Sequence, residues 1–256
     1  MTDDDRRKAA KADWLRRLNN RPTRDWHDAI LEIDTGLFER MTRLYEVYNL
    51  SAIEPKLRHL IWVAVDAVPT HLYPVGIELH ARAALNHGGT AREVLETLEI
   101  AATAGERSFA SALPVVLDEL QQAGVRPKLH GDGAPAEAAA AAKADYAADT
   151  GSVPPWLEEL LRLSPDFTPA TLAIGHGNAR GGVLGPKARA LITLAVVSCP
   201  AVLDLAATRE QVRHALEAGA TPEELIAVLE LGSGIGLHAL SLGVPALLRV
   251  LAERKD

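Results

Sequence analysis

The chain has 256 residues, of which 48% are apolar and 24% charged, and its formal net charge is −7 at pH 7. This is the composition of a globular protein able to bury one large core or two modest ones. The acidic balance and the lack of a long basic run exclude nucleic acid and anionic membrane as expected partners.

The N-terminus, Met1-Thr2-Asp3-Asp4-Asp5-Arg6-Arg7-Lys8, is followed by no apolar stretch, so no secretory signal is expected and the location reads as cytoplasmic. Residues 1–24 read as a charged N-terminal segment with a peripheral helix over 1–20. Trp26 to Phe38 forms a lead-in helix, matched later by Trp156 to Phe167. Leu57, Leu60, Ile61, Ala64 and Val65 then fall on one helical face. Gly88 and Gly89 stop the helix that carries His80, and Thr90-x-x-Glu93 is a capping box that starts the next. Residues 128–155 read as a linker, loop-like at Gly131–Pro135 and able to form an Ala-rich helix over Ala136–Ala148. The apolar stretch Ala190 to Leu203 is too short to span a bilayer. No segment has a convincing strand period, so the fold class is all-α.

Shifting the chain by 131 residues aligns Pro55–Leu120 with Pro186–Leu251 without a gap, at 21 identities in 66 positions. Pro55-Lys56-x-Arg58-x-Leu60-Ile61 matches Pro186-Lys187-x-Arg189-x-Leu191-Ile192, and the second capping box is Thr221-Pro222-Glu223-Glu224. The chain therefore reads as a tandem duplication, with copy one over 25–127 and copy two over 156–256.

The run Gly76-Ile77-Glu78-Leu79-His80-Ala81-Arg82-Ala83-Ala84, with Asn86-His87-Gly88 and Thr90-Ala91-Arg92-Glu93 behind it, resembles the carboxymuconolactone decarboxylase family. There the pattern is Glu-Leu-x-x-His-x-x-Ala-Ala, and here the glutamate at Glu78 stands two residues nearer the histidine. The resemblance implies the AhpD-like all-α bundle and a homo-oligomer, a trimer or a hexamer-like assembly. AhpD-type peroxidases carry Cys-x-x-Cys-x-x-x-His. With His80 as that histidine the cysteines would be Tyr73 and Gly76, and the single Cys199 lies elsewhere. Thiol peroxidase chemistry is therefore not expected.

Comparison of the copies isolates what the scaffold does not require. Asp66, Thr70, His71, Tyr73, Glu78 and His80 stand opposite Val197, Ala201, Val202, Asp204, Arg209 and Gln211. His80 is the expected general acid, because imidazole titrates near neutrality. Tyr73 and Thr70 are the expected donors to a developing enolate oxygen. His71, Arg82, Glu78, Asp66 and His238 are candidate substrate contacts, with Arg82 as carboxylate anchor. No His-x-x-x-His or His-Glu-x-x-His spacing occurs, so no metal is expected, nor any other cofactor. The implied activity is a cofactor-independent lyase acting on a small carboxylated lactone or enol acid. An isomerase, a lactone hydrolase or a non-catalytic small-molecule binding or assembly protein remains open on the same residues.

Overall fold

A computed structural model describes residues 2–127 and 136–254. The helices are α1 (Asp3–Arg17), α2 (Asp25–Ile33), α3 (Thr35–Asn49), α4 (Pro55–Ala67), α5 (Pro74–Asn86), α6 (Ala91–Ala102), α7 (Arg107–Gln122), α8 (Ala136–Thr150), α9 (Pro155–Leu163), α10 (Phe167–His176), α11 (Pro186–Ser198), α12 (Leu205–Glu217), α13 (Pro222–Ser233) and α14 (His238–Glu253). Two 3-10 turns, Thr103–Glu106 and Gly234–Leu237, precede α7 and α14. There is no strand among the described residues, and the fold is all-α. The bounds of α4, α5, α6, the first 3-10 turn and α7 recur 131 residues later in α11, α12, α13, the second turn and α14.

The chain packs as two compact units that do not follow the order of the sequence repeats. The first comprises residues 2–52 and 234–254, hence α1, α2, α3 and α14. Its core is Trp14 and Phe38 with Ala10, Leu18, Ile30, Leu31 and Met41, and Leu240 and Val244 of α14 pack against it. The N-terminal segment is thus not peripheral. Ala10, Trp14 and Leu18 recur every fourth residue and bury one stripe of α1, while its charges face outward. The expected lead-in helix is two helices. Asp34 interrupts it and caps α3 by accepting the Leu37 N–H at 2.9 Å.

The second unit, residues 53–233, holds α4 to α13. Its centre is the contact of α4 with α11, where Leu60, Ile61, Val63, Ala64 and Val65 meet the elements carrying Leu191, Ile192, Leu194, Ala195 and Val196, all at most 1% exposed. Fully burying each of the larger aliphatic side chains is worth roughly 1.5–3 kcal/mol. The loop expected at Gly131–Pro135 lies outside the described residues. The Ala-rich segment behind it is no linker, because α8 packs on α10 and buries Ala142 and Asp149.

The run Pro222–Glu253 is long and apolar enough to cross a membrane by length and composition. α13, at its start, buries Ala227, Val228 and Leu231, whereas the most apolar 18-residue window of the run is not buried.

Candidate functional site

The α4–α5 hairpin of the second unit carries most of the residues singled out from sequence. Glu54 starts α4 by accepting the N–H groups of Leu57 and Lys56, with Pro55 at the first helical position. After Ala67 the chain turns through Leu72 at φ 40, and the Tyr73 N–H closes the turn on the Asp66 carbonyl at 2.8 Å. The same turn recurs at Leu203, φ 49, where the Asp204 N–H meets the Val197 carbonyl at 2.8 Å. A leucine in the left-handed region costs on the order of 1–3 kcal/mol, and both hairpins accept it. The hairpins differ at the cap. Asp204 accepts the Ala207 N–H at 3.0 Å, whereas Tyr73 makes no side-chain cap. Replacing a capping side chain typically costs about 0.5–2 kcal/mol, so the tyrosine is a local sacrifice of stability.

Asp66 lies at the base of this turn, 2% exposed, and burial pushes its carboxyl up to about 8. Gly76 makes room for it. A Cβ at residue 76 would fall 2.0 Å from the Asp66 Oδ2 and 2.5 Å from the Tyr73 ring. Tyr73 is buried, and the half-buried His71 has its ring 6.2 Å from it and is held below the usual imidazole range by burial.

His80 sits two turns into α5. Its Nδ1 lies 3.1 Å from Nδ1 of His59 on α4, and its ring lies 4.7 Å from that of Trp62. The Trp62 indole N–H donates to the Leu231 carbonyl at 3.3 Å. His87, exposed at the end of α5, lies parallel to His59 with ring centroids 5.5 Å apart. His59, Trp62 and His87 were missed in the sequence, although the copy comparison contains the signal. They stand opposite Ala190, Thr193 and Ala218.

The expected roles of Thr70, Arg82 and Glu78 do not fit the geometry. The Thr70 hydroxyl donates at 2.9 Å to the carbonyl of Ala201, its own counterpart in the second copy, so it ties the two hairpins together. Arg82 and Glu78 form a 2.8 Å pair with both side chains more than two-thirds exposed, a solvated couple of small energetic weight. His238 begins α14 in the first unit.

A second ionisable centre, also unexpected, lies inside the second unit. His176 bonds to Asp149 through Nδ1 at 2.7 Å and to both Glu106 oxygens through Nε2 at 3.0 and 3.1 Å. Arg189 grips Asp149 with two bonds of 2.6 and 2.8 Å. Glu96 lies 3.6 Å from Arg189 and accepts the Val183 and Leu184 N–H groups at 2.7 and 3.1 Å. The two carboxylates hold His176 protonated up to about 9 against the opposing effect of its burial, and His176 and Arg189 hold Asp149 below the usual carboxylate range. Each charge in this network faces an opposite one, and it reads as a lock between α6, α8, α10 and α11.

Residues 36–118 match the carboxymuconolactone decarboxylase family. A crystal structure from Burkholderia xenovorans LB400, provisionally named a gamma-carboxymuconolactone decarboxylase subunit, is 28% identical and superposes with a TM-score of 0.82 over 98% of both chains. No curated protein matches the chain.

Proposed function

We propose that this chain, whose residues 36–118 match the carboxymuconolactone decarboxylase family, is a cofactor-independent lyase that decarboxylates a small carboxylated lactone or enol acid at the α4–α5 hairpin of the first copy. The observation that carries the reading is the His59–His80 contact, which the second copy replaces. There Gln211 is buried and donates to the Ala190 carbonyl at 3.1 Å. On this reading the scaffold is an internal duplication in which one copy kept ionisable groups and the other closed the equivalent position.

Decarboxylation breaks the bond to the carboxyl carbon and leaves an electron pair that must be delocalised as an enolate and then protonated. His80 is the proton donor. Asp66, kept neutral at pH 7 by its burial, is a carboxylic acid able to donate a hydrogen bond to the enolate oxygen, with the Tyr73 hydroxyl beside it. Thr70 and Arg82 are left out of the mechanism, the first because its hydroxyl is engaged and the second because its partner is in solvent.

The test is release of carbon dioxide from a panel of carboxylated lactones and enol acids. Ring opening or isomerisation without carbon dioxide would replace the lyase by a hydrolase or isomerase using the same groups. Binding without turnover would replace it by a binding protein.

A further inference from the structure

The two Nδ1 atoms of His59 and His80 are 3.1 Å apart, the ring centroids 5.3 Å apart, and the planes 27° from parallel. Most of the centroid separation is therefore the gap between the nitrogens. The rings meet end to end, close to one plane, with both Nδ1 atoms between them. This is an in-line N–H···N hydrogen bond. Two bare nitrogens or two N–H groups would repel at that distance, so one proton lies between the rings. A neutral imidazole carries one proton and an imidazolium two. The proton between the rings therefore ties the tautomer of each histidine to that of the other.

The surroundings favour a positive charge here. The Trp62 ring lies 5.4 Å from His59 and 4.7 Å from His80, within the range at which an aromatic ring attracts a cation on either member of the pair, and its indole is anchored on Leu231. The exposed His87 stacks on His59 and keeps that end of the pair near water. The second copy has none of this, with Ala190, Thr193 and Ala218 in the three places.

We propose that His59 is a proton-relay residue that converts His80 from acid to base in one step; this rests on the reading of His80 as the general acid. The reactive form is the singly charged pair, with His59 protonated on both nitrogens and His80 on Nε2. When the carbanion forms, its electron pair takes the Nε2 proton of His80 and makes the new C–H bond. The N–H electron pair left on Nε2 is drawn into the ring as Nδ1 takes the shared proton from His59. His59 ends neutral with its proton on Nε2, and His80 ends neutral with its proton on Nδ1. Neither ring passes through an anion. One proton from water then returns to Nε2 of His80, and the shared proton moves back. Each turnover thus exchanges one carboxylate for one solvent proton, which balances the reaction.

Two measurements test this. Nitrogen-15 histidine spectra at alkaline pH should show one member of the neutral pair as the Nδ1–H tautomer and the other as Nε2–H. Both rings as Nε2–H would overturn the proposal, whatever the activity. In turnover, a proton inventory across water and heavy water should curve for the wild type, since two protons move together, and become linear in His59→Ala. That variant installs the residue found at Ala190, and its kcat should fall by about 10²-fold with little change in KM and recover with added imidazole. A linear wild-type inventory, or an unchanged kcat in a folded His59→Ala protein, would also overturn it. Mixed tautomers with no turnover of any lactone would retain the shared proton but remove the lyase reading and the relay with it.

Discussion

The Gln211 side chain donates to the Ala190 carbonyl at 3.1 Å, and these residues stand 131 positions after His80 and His59. Glutamine is therefore an accommodated residue at this point of the scaffold, satisfied by the backbone one helix away. His80→Gln is expected to keep the wild-type melting temperature to within a few degrees and to lose about 10²–10⁴-fold in rate. Parallel thermal melts and turnover assays check both. A normal rate would remove His80 from the mechanism.

Gly76→Ala should destabilise the protein by roughly 1–3 kcal/mol, because the new methyl group meets Asp66 and Tyr73. Asp66→Val with Gly76→Ala reproduces the second copy, which has Val197 and Ala207 there. The double variant should recover the part of the loss that Asp66 causes, while the Tyr73 ring, 2.5 Å from the new Cβ, keeps the rest. A chemical-denaturation double-mutant cycle measures the coupling, and strict additivity would contradict the geometry.

His176 predicts a stability that falls on the alkaline side. Its folded-state value is raised from 6.5 to about 9, so its contribution is complete below 6.5 and is lost as pH rises through 9. The group faces Asp149 and Glu106 directly, with Arg189 behind Asp149 and the Tyr146 ring 4.8 Å away. The span corresponds to roughly 3 kcal/mol. His176→Gln should flatten denaturation free energy between pH 7 and 10. An equally steep wild-type slope in the variant would assign the loss elsewhere.

Cys199 is 1% exposed, its thiol pushed up by burial and directed at the Val196 carbonyl at 3.3 Å. A buried neutral thiol is a poor nucleophile. Cys199→Ser should retain full turnover, and native protein should resist thiol-reactive reagents until unfolded. Loss of activity in folded Cys199→Ser would bring the sulfur into the chemistry.

The chain is expected to sediment as a homo-oligomer. α14 exposes Leu242, Leu247, Leu248, Val250 and Leu251, more apolar surface than one helix of a monomer ordinarily leaves to water. Sedimentation at micromolar concentration should give a multiple of 27.4 kDa, and Leu247→Glu with Leu251→Glu should reduce it. A wild-type monomer would refute this.

The helices and their stops were legible because the signals are local. The Thr90 and Thr221 boxes form as spaced, and Gly88 takes φ 81 beyond the end of α5. The burial of α1 was less legible, because Trp14 is surrounded by charge and its stripe includes the small Ala10. At the site, the difference between the copies singles out His80, whereas His59 stands in the apolar run of α4 and meets His80 only through the fold. The His176 network was not readable at all. Its bonds join residues 27, 40 and 70 positions apart, a distance at which no spacing rule operates.

Gly76 also bears on the order in which substitutions can accumulate. While Asp66 is present, any side chain at residue 76 meets its oxygen, so a lineage that acquires one first passes through a damaged hairpin. The acid must be lost beforehand. Descendants that carry a thiol at residue 76 are therefore expected among those that have already given up Asp66, and for the rest the hairpin works as an evolutionary ratchet.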